Sequence, residues 1–139
     1  MSTNTKSDYM LLFRGNERFN HLSAEELETV MSKARAWFEK ITARGIGKGG
    51  APLTPEGKLV SGKGGQFVAD GPFAESKEAI GGYLILAADS LEEAVAIART
   101  NPALDHGTSI EVRVVAAECP LVTRAKEIAA QESRVPAGV

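Results

Sequence analysis

The sequence contains little that could carry metal, redox or disulfide chemistry. Among 139 residues there is one cysteine, Cys119, and there are two histidines, His21 and His106. A single cysteine cannot form an internal disulfide, and neither histidine has a second ligand at the spacing of a metal motif. We therefore predict no metal site and no secreted disulfide framework.

The chain also lacks an excess of either charge and any long apolar run. Sixteen Lys and Arg against 18 Asp and Glu give a net charge of −2, whereas a nucleic-acid-binding domain normally carries a basic face. No apolar segment approaches the roughly 20 residues that a membrane-spanning helix needs. The polar N-terminal residues lack the apolar core of a signal peptide. The sequence predicts a cytoplasmic protein that binds neither nucleic acid nor membrane.

The glycine-rich segment 45–50 matches a G-x-G-x-x-G pattern, yet it does not predict a nucleotide site. A dinucleotide fingerprint follows a strand and opens a helix, so that the helix N-terminus meets the pyrophosphate. Here a long helical pattern ends immediately before Gly45. No Ser or Thr follows Lys48, as a phosphate-binding P-loop would require. No cofactor is predicted.

Two predicted helices begin with capping signals. Ser23 stands three residues before Glu26, and Ser90 stands three residues before Glu93, so each pair predicts a capping box. Apolar residues at helical spacing follow Ser23 as far as Ile41, which predicts one wide apolar stripe. The sequence thus favours one long and one short amphipathic helix.

Short apolar or alternating runs predict the strands around these helices. Strands are expected at 9–13, near 46–53, at 80–88 and at 110–115, with a hairpin that pairs 58–61 with 66–69. This order is the ferredoxin-like βαββαβ plan with the hairpin inserted. A further helix is predicted from Val122 to Ser133. The predicted fold class is therefore α+β, with a C-terminal helix added to a ferredoxin-like unit.

The segment Asp70-Gly-Pro-Phe-Ala-Glu-Ser-Lys-Glu78 combines turn chemistry, an aromatic ring and four charges. It resembles the signature of the DGPF branch of the YCII-related family, DGPFAETKE, with Ser76 where threonine is usual. The resemblance implies a homodimer, a dimeric α/β barrel in which two sheets pack face to face. We therefore predict a domain at 8–118; the residues outside it predict a disordered segment at 1–7 and a helical extension at 119–139.

Charged residues near the last strand are the first candidate ligand-binding residues. Glu111 and Arg113 share one strand face, and Arg14, at the end of the first strand, is expected to reach the same region. Buried charges need partners. The three residues therefore predict either a pocket for an anionic ligand or an internal salt bridge that fixes strand register. Both interpretations stay open.

Asp70 and His106 are the candidate groups for proton transfer, and Lys77 is a candidate for binding an anionic group. Asp70 has a structural alternative, because Asp-Gly-Pro forms turns whatever else it does. Together these residues predict a site for a small acidic or aromatic metabolite, with or without acid–base catalysis.

The YCII-related resemblance argues against one known form of that catalysis. Enzymes of the family carry a histidine in the first helix and an aspartate after the second, and the two look like an acid–base pair. By position they fall on Ala34 and Asn101. Alanine cannot transfer a proton, and neutral asparagine cannot stabilise a charged base as a carboxylate does. The resemblance also implies an alternative, a non-catalytic interaction module, since similar members are encoded beside extracytoplasmic-function sigma factors.

Overall fold

The computed structural model describes residues 6–70 and 80–133, without the side chains of 16–18 and 67–70. Its strands are β1 (Ser7–Arg14), β2 (Gly47–Pro52), β3 (Lys58–Ser61), β4 (Phe67–Asp70), β5 (Ile80–Ala88) and β6 (Ser109–Val114). Its helices are α1 (Ala24–Ala43), α2 (Leu91–Ala98) and α3 (Pro120–Ser133). Three short 3₁₀ segments, at Asn16–His21, Lys63–Gly65 and Pro102–His106, were not predicted.

Four antiparallel strands form one sheet in the order β2-β5-β1-β6. With α1 and α2 as the two connecting helices, this order is ferredoxin-like, as the sequence predicted. Strands β3 and β4 form a separate hairpin in which Lys58 pairs with Asp70 and Ser61 pairs with Phe67. The hairpin is the predicted one, and its second strand begins one residue later than expected.

The helices start where their capping residues lie. At α1 the backbone N–H of Glu26 donates to Ser23 Oγ at 3.1 Å, and the backbone N–H of Ser23 donates to Glu26 Oε1 at 3.2 Å. This is a complete capping box. At α2 the backbone N–H of Glu93 donates to Ser90 Oγ, but the Glu93 carboxylate accepts from the backbone of Asp89 instead. The prediction of a second reciprocal box is therefore wrong in one of its two bonds.

The hydrophobic core lies between the helices and one face of the sheet. Leu11 of β1 and Leu86 of β5 are fully buried at its centre. Trp37 fixes α1 against the end of α2, because its Nε1–H donates to Thr100 Oγ1 at 2.7 Å. The other core residues are Tyr9, Ile41, Ile46, Leu84, Ala88, Ala94 and Ala98.

The second face of the sheet carries half-buried apolar side chains. Leu12 pairs with Tyr83 on one side and with Glu111 on the other, so these three residues share that face. Met10 pairs in the same way with Ile85 and Arg113. Since α1 and α2 pack on the opposite face, this surface is the one that the sequence analysis assigned to a dimer contact.

Helix α3 is exposed along its whole length, and its Leu121 is 79% accessible. Among residues 6–70 and 80–133, no helix is long and apolar enough to cross a membrane. Residues 1–5, 71–79 and 134–139 lie outside the described part of the chain. The expected disordered N-terminus therefore falls mostly outside it, as do the C-terminal tail and all of the signature except Asp70.

Candidate functional site

A cavity of about 870 Å³ lies between α1 and the sheet. This volume is within the range of sites that hold small organic molecules. Its far walls are formed by β2, β5 and the segment that follows α2. The side of the cavity formed by α1 consists of Leu27, Val30, Met31, Ala34, Phe38, Ile41 and Thr42.

The apolar stripe of α1 is wider than its contact with the core. Ile41 is buried against the sheet, whereas Met31 is 57% exposed and Phe38 is 41% exposed. All three line the cavity. Much of the stripe therefore faces the cavity, and it leaves apolar side chains such as Met31 accessible at the rim.

Glycines are frequent in the wall opposite α1. Gly47, Gly49 and Gly50 of β2 and Gly82 of β5 all line the cavity. Because glycine has no side chain, these positions contribute only backbone atoms to the wall. The glycine-rich segment that matched a nucleotide-binding pattern thus has a structural role. It follows α1 and contributes to β2, an edge strand of the sheet.

The described wall of the cavity is uncharged. None of its residues is Asp, Glu, Lys, Arg, His or Cys. Three phenylalanine rings are prominent in it, those of Phe13, Phe19 and Phe38. A charge brought into such surroundings loses hydration without gaining a partner. The wall therefore favours an uncharged molecule with aromatic or other apolar surface.

Two polar side chains lie at the end of the cavity beside the 3₁₀ segment Pro102–His106. Asn101 is 6% exposed and Thr108 is 5% exposed. Asn101 Oδ1 accepts from the backbone N–H of Ala103 at 2.8 Å, and the backbone N–H of Thr108 donates to Ala103 O at 3.3 Å. Both residues are thus tied to Ala103, and both line the cavity.

Three of the predicted ligand-binding residues meet in one ionic cluster. Glu111 Oε1 lies 3.0 Å from Arg14 Nη2, and Glu111 Oε2 lies 3.1 Å from Arg113 Nη1. The internal salt bridge, one of the two interpretations that the sequence left open, is therefore formed. The cluster is on the second face of the sheet, opposite the face that borders the cavity, so a ligand-binding role for it stays a prediction.

The other predicted site residues lie apart from this cluster or outside the described chain. The ring of His106 packs against Phe19, with 5.7 Å between ring centroids, and Phe19 lines the cavity. Asp70 is described only as the last backbone position of β4, and Lys77 lies outside the described residues. Within the ranges 6–70 and 80–133, no group of three His, Cys, Asp or Glu side chains could hold a metal ion.

A model of the YCII-related domain matches residues 8–118. The chain belongs to the YCII-related family. No curated protein matches this family member by sequence. A solved structure that resembles it is 5-chloro-2-hydroxyhydroquinone dehydrochlorinase from Burkholderia phenoliruptrix, in complex with 2,5-dihydroxybenzoquinone. The two chains are 15% identical with a TM-score of 0.47, over 80% of this chain and 95% of the other.

In this YCII-related protein, the two positions at which the sequence analysis expected the acid–base pair both border the cavity. Ala34 lines it from α1, and Asn101 lines it from the end of α2. Sequence reasoning identified these positions but directed attention to charged residues on the other sheet face. The sequence feature that could have indicated the cavity is the wide apolar stripe on α1 followed directly by a glycine-rich strand.

Proposed function

We propose that this YCII-related protein binds a small, uncharged aromatic molecule in the cavity between α1 and the sheet. The observation that carries the proposal is the composition of the described wall, which has three phenylalanine rings and no charged side chain. Apolar walls with a few polar groups are the usual environment of small-molecule sites. Of the two ligand classes expected from the sequence, aromatic and acidic, the wall favours the aromatic one.

Catalysis is not required by this proposal. The described wall offers no carboxylate, imidazole, thiol or amine that could accept or donate a proton during a reaction. Asp70 and His106 keep their predicted roles in proton transfer as hypotheses. Of the two, His106 is the one placed close to the cavity, because its ring contacts the cavity residue Phe19.

A titration with ethylbenzene and with benzoate, followed by protein NMR shifts, tests this function. Wild type should bind ethylbenzene more tightly than benzoate. Ala34→Phe should weaken ethylbenzene binding at least tenfold, because the new ring would project from α1 and take up cavity space that the ligand needs. Ala36→Phe places the same ring at an exposed position of the same helix that does not line the cavity, and it should leave binding unchanged. Tighter binding of benzoate, or equal binding by both variants, would contradict the proposal.

We also propose that the chain belongs to the DGPF branch of the family, that it is cytoplasmic, and that it forms a homodimer. The branch is supported by the sequence of residues 70–78, which resembles the DGPF signature. The homodimer is supported by the half-buried apolar side chains on the second sheet face, among them Leu12 and Tyr83. Two such faces packed together would remove apolar surface from water.

The second candidate function is a protein-interaction module, and exposed apolar residues of α3 favour it. Leu121, Val122 and Ile128 are all exposed on this helix. A regulatory partner such as a sigma factor, expected by family analogy, would have these exposed apolar side chains to contact there. If the titration above shows no binding of either compound to wild type, this second function becomes the better proposal.

A further inference from the structure

The Thr108 side chain is a buried polar group that the described protein does not satisfy. The residue is 5% exposed, and its Oγ1 has no hydrogen-bond partner among the described residues. Buried hydroxyls are normally hydrogen-bonded, because a buried hydroxyl without a partner is destabilising. Its presence in a cavity wall suggests that a bound molecule supplies the missing partner.

The position of Thr108 in the sheet directs its side chain towards the cavity. It immediately precedes β6, and strand alternation places it on the same face as Ile110 and Val112. Ile110 and Val112 pack against the core between sheet and helices. Thr108 itself lines the cavity. Thr108 is therefore on the side of the sheet that borders the cavity, away from the Arg14–Glu111–Arg113 cluster.

Asn101 adds a second hydrogen-bonding group at the same end. Its Oδ1 is occupied by the backbone N–H of Ala103, which leaves the side-chain amide nitrogen as a donor. None of the hydrogen bonds found in residues 6–70 and 80–133 uses that nitrogen. The Thr108 hydroxyl can also donate. Two donors at an uncharged site match an oxygen that has two lone pairs.

We propose that Thr108 and Asn101 form a hydrogen-bonding subsite for a neutral carbonyl oxygen on an aromatic ligand. The inference rests on the proposed function, and it specifies the chemistry of the ligand. A carboxylate would also accept two hydrogen bonds, but the described wall has no cation to offset its charge. A hydrocarbon would fill the apolar part of the cavity and leave Thr108 without a partner.

Acetophenone and ethylbenzene are the matched probes, because they differ by the carbonyl oxygen and have nearly the same shape. Wild type should bind acetophenone more tightly. Thr108→Val removes the hydroxyl and should weaken acetophenone binding about threefold to tenfold, the worth of one neutral hydrogen bond, without changing ethylbenzene binding. Thr108→Ser keeps the hydroxyl and should retain most of the preference. Thr29→Val alters an exposed threonine of α1 that does not line the cavity, and it should change neither affinity.

The melting temperature of the ligand-free variants separates a ligand anchor from a structural hydroxyl. Thr108→Val should melt at the same temperature as wild type or higher, because it removes an unsatisfied buried group. A clearly lower melting temperature, or equal loss of both probes, would overturn the subsite. Acetophenone binding that Thr108→Val leaves intact would overturn it as well. If neither probe binds wild type, the proposed function itself fails. If ethylbenzene binds and acetophenone binds no better, the subsite alone fails.

Discussion

At the scale of single residues, Gly50 is the tightest steric constraint on the cavity wall. It pairs with Leu84 across β2 and β5. A Cβ added at Gly50 would overlap the carbonyl oxygen of Tyr83 and lie 2.8 Å from the Cα of Leu84. Backbone atoms cannot move aside as a flexible side chain can. Any side chain at this position therefore requires β2 to shift away from β5.

We expect Gly50→Ala to lower the free energy of unfolding by about 2 kcal/mol or more, the typical cost of an overpacked site. Gly47→Ala is the matched control, because its Cβ would lie 3.5 Å from Ile41 Cδ1, an ordinary contact. The control should change stability by less than about 1 kcal/mol. Urea denaturation of the two variants measures the difference. Equal destabilisation by both would show that strand composition, and not the close approach to Tyr83, sets the cost.

The ionic cluster shows a different kind of constraint at this scale. Two guanidinium groups share the single carboxylate of Glu111, so the cluster has a net positive charge. Arg14 Nη1 is buried and has no hydrogen-bond partner among the described residues. Because Glu111 and Arg113 remain partly exposed, solvent screens their attraction and the contribution to stability is small. Their more specific effect is to link β1 to β6 in one register.

At the scale of elements, α3 is held at its start by side chains and not by the core. Glu118, just before the helix, accepts hydrogen bonds from Lys126 Nζ and from Thr123 Oγ1. These bonds, with Lys126 the larger cause, hold the pKa of the Glu118 carboxyl below its ordinary value of 4.5. A negative charge at this end also suits the dipole of a helix.

Acid should therefore weaken the start of α3. Because the pKa of Glu118 is lower in the folded chain than in the unfolded one, its contribution to stability is present above pH 4.5 and is lost as the pH falls through the lowered pKa. Lys126→Met should raise the pKa of Glu118 towards its ordinary value, and the titration of that carboxyl by NMR measures it. Lys33→Met, at an exposed site on α1, should leave it unchanged. A Glu118 pKa that is the same in wild type and Lys126→Met would show that the ion pair does not form in solution.

Most of the fold could be predicted because its signals are local. Ser23 and Glu26 define the start of α1 within four residues of sequence, and Gly45, at φ 71°, follows its end. The strand Ile80–Ala88 was predicted with the bounds that it has. The three 3₁₀ segments were missed, since a few residues are too short to establish a period.

The cavity could not be predicted in the same way, because its size depends on distances between elements. An apolar residue such as Val30 or Met31 gives the same helical pattern whether it packs on a strand or faces a cavity. The alternation of Glu111 and Arg113, by contrast, is visible within one strand. These two residues were therefore the ones predicted to bind a ligand. Thr108 has no sequence pattern at all. Its importance comes from burial and from a missing hydrogen-bond partner, and both are properties of the folded chain.

At the scale of the whole molecule, the second sheet face is the surface on which we expect a second copy to bind. We predict that wild type sediments as a dimer at micromolar concentration and that Leu12→Lys sediments as a monomer. The new lysine lies opposite Glu111, so it should be tolerated in the separate chain. Leu59→Lys changes an exposed leucine of the β3–β4 hairpin and should leave the dimer intact. A wild-type chain that sediments as a monomer would end the homodimer proposal.

The glycine-rich strand β2 has a consequence for how copies of this protein can associate. It is an edge of the described four-stranded sheet, and its pairing with β5 is interrupted between Gly47 and Gly49, where Gly49 has φ 125°. Pro52, at its end, has no N–H to donate. An irregular edge that contains glycine and proline is a poor template for strand addition by another chain. The same residues that line the cavity therefore disfavour edge-to-edge pairing of the sheet, and the proposed homodimer would form through the second sheet face instead.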